Sequence, residues 1–217
     1  MASKEIENLV KNFERNHIEY MSRRYSETQA RQEFINPFFK ALGWDIYNEQ
    51  GFPEAYKEVL HEPSFKENSN TISPDYVFKI EDDIKFVVEA KKPSKNLKSN
   101  PNAEYQLRTY AWSANLPIAI LTNFEEFVVY DCYSLPKKID GIDTTLLCDL
   151  RYTEYSNYWD WISNNFSKVA VQQGSLDKFL IKSKEGDDKT YQEEISKWKK
   201  EAKQYQRDRG ILYSPGF

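Results

Sequence analysis

The chain has 217 residues, a length that suggests one domain with an appendage rather than two full domains, and its 15 Tyr, 13 Phe and 5 Trp supply bulky material for one core. A formal net charge of -4 argues against a protein that coats nucleic acid non-specifically, and two histidines leave little from which to assemble Ser-His-Asp or Cys-His catalysis. Cys132 and Cys148 show no metal-ligand spacing, no window resembles a membrane span or a secretory signal, and neither GxxxxGKS/T nor GxGxxG occurs, so zinc, disulfide staples, a membrane and an ATP site are disfavoured and a reducing cytoplasm fits.

Residues 4 to 21 place Ile6, Leu9, Val10, Phe13 and Tyr20 at helical spacing, which predicts an amphipathic opening helix. Ser26 and Gln29 form a capping-box pattern at the start of a second helix, in which Ala30, Phe34, Phe38 and Leu42 recur every four residues. Gly43 provides its left-handed stop, and Pro37 inside it should remove one backbone bond and bend it. Trp44 to Tyr47 predicts a first strand, whereas residues 48 to 70 have no clean period and read as a long excursion.

Strands at Ile72 to Ile80 and Ile84 to Lys91, separated by Glu81-Asp82-Asp83, follow so closely that they predict an antiparallel hairpin. Pro93 ends the second, and a basic loop from Ser94 to Pro101 leads into a helix from about 102 to 115. Strands are expected at Ile118 to Thr122 and Phe127 to Asp131, then a helix over 153 to 170 with Tyr155, Trp159, Ile162, Phe166 and Val169 on one face. Residues 1–182 read as one domain. Residues 183–217 read as a polar linker, SKEGDDK, and a helix whose stripe of Ile195, Trp198, Ala202 and Tyr205 either packs back or leads onward.

Strand alternation places Asp75, Val77 and Lys79 opposite Tyr76, Phe78 and Ile80, and Lys85, Val87, Glu89 and Lys91 opposite Ile84, Phe86, Val88 and Ala90. In a hairpin, register can bring Asp75 beside Glu89, gathering two carboxylates and the Lys91 ammonium. Carboxylates about 5 Å apart repel by roughly 3 kcal/mol at an effective dielectric of 20, which a divalent ion reverses. Mg2+ in such a place polarises a phosphoryl oxygen and lowers the pKa of an attacking water, with Lys91 to orient or deprotonate that water or neutralise charge.

An Asp followed by Glu-x-Lys recurs by chance in many chains, and a charged row on a strand is ordinarily solvated, so the neighbours carry weight. Gln106 and Tyr110 form a QxxxY spacing one helical turn apart, and Glu27 adds an acidic candidate in the first turn of the second helix. Trp44, Trp112 and Trp159 lie in apolar stripes and read as core, His17 and His61 as surface. Lys92, Lys95 and Lys98 fit phosphate contacts and a solvated loop nearly equally.

The ordered segments RYSETQARQEFINPFFKALGWDI (24–46), SPDYVF (73–78), FVVEAKKPS (86–94), QLRTYAWSANLPIAILTNFEEFVVYD (106–131) and, weakly, GSLDKF (174–179) resemble the nuclease domains of type IIG restriction-modification enzymes. More distantly they resemble the nuclease part of type I restriction motor subunits. The resemblance implies an α/β restriction-endonuclease-like core of helix, three strands, helix and strand, with added N- and C-terminal helices. It implies a PD-(D/E)xK site with Asp75 and Glu89 as metal ligands and Lys91 as the catalytic lysine. Glu27, or Glu33 on the same helix, would complete the metal shell, and Gln106, Tyr110 and Lys92 would contact DNA or brace the site. The implied cofactor is Mg2+, with Mn2+ substituting, and the implied substrate double-stranded DNA. No NPPY-like motif occurs here, so a methyltransferase and a target-recognition domain are expected in cis or in trans. The expected function is a restriction endonuclease domain leaving 5'-phosphate and 3'-hydroxyl ends; the alternative is a non-cleaving DNA- or partner-binding module of the same fold.

Overall fold

The amphipathic opening segment forms two helices, α1 (Lys4–Arg15) and α2 (His17–Tyr20), in the computed structural model, which describes residues 3–67, 70–98, 101–133, 135–137 and 145–177. One helix over 4–21 is thus corrected: Asn16 leaves helical backbone at φ -115° and turns its side-chain amide back to Asn12 Oδ1 at 3.3 Å. The second helical segment starts as its capping box predicts, Ser26 Oγ accepting from the Gln29 amide at 3.2 Å and Gln29 Oε1 from the Ser26 amide at 3.0 Å. It runs through α3 (Glu27–Ala30), a π-helical turn (Arg31–Ile35) and α4 (Asn36–Ala41), and Gly43 stops it at φ 87°. Pro37 is accommodated by that π-turn: a helical proline clashes with the carbonyl four residues back, and the wide turn, with the Asn36 amide on Arg31 O, relieves the crowding just upstream.

Trp44 to Tyr47 is a turn and not a strand. Its indole drives this, since Trp44 Nε1 donates to Phe166 O at 2.9 Å inside the core, and the Ile46 amide bonds locally to Trp44 O. The first strand falls instead in the segment without a period, as β1 (Val59–His61) after a 3-10 turn at Glu54–Tyr56. A separate hairpin follows, β2 (Phe65–Glu67) with β3 (Asn70–Ile72), so the expected strand from Ile72 to Ile80 is two pieces, β3 and β4 (Tyr76–Ile80). Then come β5 (Asp83–Ala90), α5 (Pro101–Ser113), β6 (Ile118–Thr122), β7 (Glu126–Asp131) and β8 (Leu146–Arg151), the last missed by periodicity. The helix expected over 153–170 breaks at Ser167 into α6 (Tyr155–Phe166) and α7 (Lys168–Gln172). The linker and helix expected at 183–217 lie outside the described residues.

Strands order as β1-β4-β5-β6-β7-β8, antiparallel throughout except for β5 and β6, which are parallel and joined by the α5 crossover. Both faces of this sheet are covered. Tyr76, Phe78, Phe86, Val88 and Ile120 pack with Phe34, Phe38, Phe39, Trp44 and Trp159 on one side, while Val77, Val87, Leu121 and Val128 pack with Leu107, Tyr110 and Ala111 of α5 on the other. On the side that begins with the Asp75 carboxylate, Val77 and Lys79 are both buried as well. A bulge after Phe78 pairs Lys79 with Ile84, so Ile84 joins the α5 side and not the side of Phe86. Trp112 and Val169 also leave their expected core positions, at 36% and 60% exposed. Cys132 and Cys148 are free, buried thiols in opposite clusters, and no helix among the described residues is long and apolar enough to cross a membrane.

Phe78 joins the helical layer to the sheet, its ring stacked on Phe86 at 4.5 Å and packed against Phe39 at 4.7 Å and Trp44 at 5.0 Å. Phe78→Ala should lower stability by about 3–5 kcal/mol in urea denaturation; a loss near zero would show that this layer contact is not where the fold is held.

Candidate active site

Asp75 directly precedes β4, Glu89 is the penultimate residue of β5, and Lys91 directly follows it. Tyr76 pairs with Val88, so the antiparallel register sets Asp75 across from Glu89. The Ala90 amide donates to Asp75 Oδ2 at 2.7 Å, which closes the hairpin end with a side chain where the backbone ladder stops. Lys91 is fixed through its amide, which donates to Thr122 O of parallel β6 at 2.8 Å. Its ammonium donates to Glu89 Oε1 at 2.7 Å and Ala90 O at 2.8 Å and stands 3.8 Å from Glu27 Oε2.

Arg31, the first residue of the π-turn, brings a second cation. Its Nη1 donates to Asp75 Oδ1 at 3.2 Å and pairs with Glu62, its Nε donates to the Tyr76 hydroxyl at 3.2 Å, and its guanidinium lies 4.9 Å from that ring centroid. Tyr76 in turn donates to Asn36 Oδ1 at 2.7 Å. Glu62 adopts left-handed backbone at φ 49°, and its amide donates to Asp75 O at 3.0 Å. Sequence reasoning missed Arg31, Asn36, Glu62 and Tyr76. The one available signal was the four-residue spacing of Glu27 and Arg31 on a single helix face.

Four carboxylates, Glu27, Glu62, Asp75 and Glu89, thus meet two cations, Arg31 and Lys91, leaving a formal excess of two negative charges. Burial, and then the charge of Asp75, raise the Glu89 carboxyl above its usual range against the opposing pull of Lys91. Burial is also the main cause of a raised Glu27. For Lys91 burial alone would lower the ammonium, but the Glu89 hydrogen bond and the charges of Glu89, Glu27 and Asp75 outweigh it and keep it protonated. The donor set is entirely oxygen, which suits Mg2+ and also Mn2+, and the Lys91 ammonium already marks a point where Glu89 Oε1 and Ala90 O converge on positive charge. These residues fit such an ion. Among the described residues no three His, Cys, Asp or Glu side chains cluster closely enough to enclose one, so a third oxygen would be the Ala90 carbonyl more readily than Glu27, which reaches Lys91 instead.

Of the two acidic candidates on the second helix, Glu27 is at the site and the exposed Glu33 faces Tyr25. Gln106 is exposed, and Tyr110 is buried in the α5-side cluster. Lys92 and Lys95 occupy the turn after β5, while Lys98 is ion-paired with Asp149 of β8 and is not a free loop cation. His61 is exposed as expected; His17 is half-buried and bonded to Glu125 at 2.7 Å, a correction of its surface reading.

Residues 57–138 match the family model for the N terminus of the type I restriction enzyme R protein. Over 160 residues the chain is 38% identical to the type II restriction enzyme and methyltransferase RM.Eco57I of Escherichia coli. The chain carries a domain of the restriction-endonuclease type. The alignment covers 73% of this chain but spans only 16% of the length of that relative, and no solved structure gives a significant match. Asp75, Glu89, Lys91 and Glu62 of this restriction-type domain fall inside the family match, whereas Glu27 and Arg31 lie upstream of it.

Because Asp75 accepts the Ala90 amide, Asp75→Ala should cost about 1–3 kcal/mol in urea denaturation, and Asp75→Asn, which keeps an acceptor oxygen, should cost less. Equal stability of Asp75→Ala and wild type would contradict the structural half of this residue's role.

Proposed function

We propose that the chain is a Mg2+-dependent endonuclease domain of a restriction-modification system, hydrolysing DNA phosphodiester bonds at Asp75, Glu89 and Lys91. The observation that supports it best is the facing of Asp75 and Glu89 across one hairpin end, with Lys91 Nζ 2.7 Å from Glu89. Mg2+, or Mn2+ in its place, would be held by Asp75, Glu89 and the Ala90 carbonyl and would supply polarisation of a phosphoryl oxygen and a lowered pKa for water. Lys91, whose ammonium lies 2.7 Å from Glu89 Oε1, would orient or deprotonate the attacking water or neutralise charge developing on phosphoryl oxygens. Arg31 holds the Asp75 carboxylate in one orientation, and Tyr76 and Asn36 hold Arg31.

Sequence recognition belongs to another domain or subunit in this reading. A relative that is both restriction enzyme and methyltransferase supports a methyltransferase and a target-recognition domain as partners, in cis or in trans. The decisive variant is Lys91→Ala, assayed by plasmid nicking with Mn2+ in the presence of the specificity module. Cleavage should fall at least about 100-fold, with unchanged circular dichroism and with Mn2+ affinity equal to or above that of wild type. Cleavage at the wild-type rate would show that Lys91 is only an ion-pair partner of Glu89.

A further inference from the structure

The two turns that meet at this site carry cations that the protein leaves uncompensated. Arg31, Lys40, Lys57, Lys91, Lys98 and Lys168 each have a carboxylate partner, whereas Arg23, Arg24, Lys92 and Lys95, like Lys4, Arg15 and Lys79 elsewhere, have none among the described residues. Arg23 and Arg24 are exposed in the turn that leads into Glu27; Lys92 is half-buried and Lys95 exposed in the turn that follows Lys91. The 3.8 Å approach of Lys91 to Glu27 joins the two segments, so both turns that carry these cations run directly into residues of the acidic centre.

Both turns are held in place. The first is closed by the Tyr25 amide on Ser22 O at 3.3 Å and by the Tyr25 ring against Tyr20 at 4.9 Å. The second is closed by the Lys95 amide on Lys92 O at 3.0 Å, and Asn123 of the β6–β7 connection donates to Pro93 O at 3.3 Å and Lys95 O at 2.8 Å. We infer that Arg23 and Arg24 on one side and Lys92 and Lys95 on the other form a two-sided phosphate clamp that seats the DNA backbone across the Asp75-Glu89 centre. The clamp rests on the reading of that centre as a nuclease and deepens it: phosphates either side of the reacting one meet the cations, and the acidic centre is left for the cation-assisted one.

The test is fluorescence anisotropy with a labelled 20-base-pair duplex and the whole chain in EDTA, where nothing is cut, over a series of salt concentrations. The clamp predicts that the combined variant Arg23→Ala, Arg24→Ala, Lys92→Ala, Lys95→Ala binds at least tenfold more weakly. It also predicts a salt dependence shallower by about 3–4 in the log-log slope, since each phosphate contact contributes about 0.9. A control with equal charge loss at Lys4, Lys11, Lys40 and Lys57 should retain most of the affinity and slope. Equal weakening in both variants, no weakening in the first, or no duplex binding by the wild type would each overturn the clamp. The outcome does not depend on cleavage, so absence of nicking by the wild type with Mn2+ and the specificity module would refute the nuclease reading separately.

Discussion

The bond from the Ala90 amide to the Asp75 carboxylate ends the β4–β5 hairpin and sets the geometry on which the site depends. It extends the pairing one step beyond Tyr76 and Val88, to the point where Asp75 stands across from Glu89. With it, a carboxylate is oriented by a backbone donor and two neighbouring strands at once, and Lys91 emerges beside it with its own amide fixed by β6. In the proposed reading chemistry and folding share an atom group, since the carboxylate assigned to hold a cation also finishes a strand pair.

The helical layer completes what the hairpin begins. Pro37 is tolerated through a π-turn, and the residue at the start of that turn is Arg31, which reaches Asp75, Glu62 and Tyr76 together. A regular helix would place Arg31 differently relative to Asn36, which is the anchor for the Tyr76 hydroxyl. The aromatic core beneath, with Phe34, Phe39 and Phe78 in mutual reach of the sheet, keeps this layer at the distance the guanidinium needs.

Local signals in the sequence were read well where physics is local. β6 coincides with Ile118–Thr122, the Ser26-Gln29 capping box forms as spaced, and Gly43 stops its helix. β1 is three residues long and pairs along the edge of β4, so no period could announce it; β8 lacks alternation because an irregularity in its pairing with β7 sends adjacent Leu147 and Cys148 into the same cluster. Trp44 to Tyr47 had strand-like composition, and a hydrogen bond to a residue 122 positions away decided otherwise. The site divides in the same manner. Asp75, Glu89 and Lys91 lie within one hairpin and were legible, while Arg31 and Glu62 reach it only through the packing of a helix and an edge strand.

The central proposal is that Asp75, Glu89 and the Ala90 carbonyl would hold a divalent cation, at a point where the Lys91 ammonium already meets Glu89 Oε1 and Ala90 O. Anomalous diffraction from crystals of the chain soaked in Mn2+ tests it most directly. The account predicts a manganese peak at Asp75 and Glu89, with Lys91 Nζ withdrawn from Glu89. Manganese bound only elsewhere, with Lys91 still hydrogen-bonded to Glu89, would contradict it.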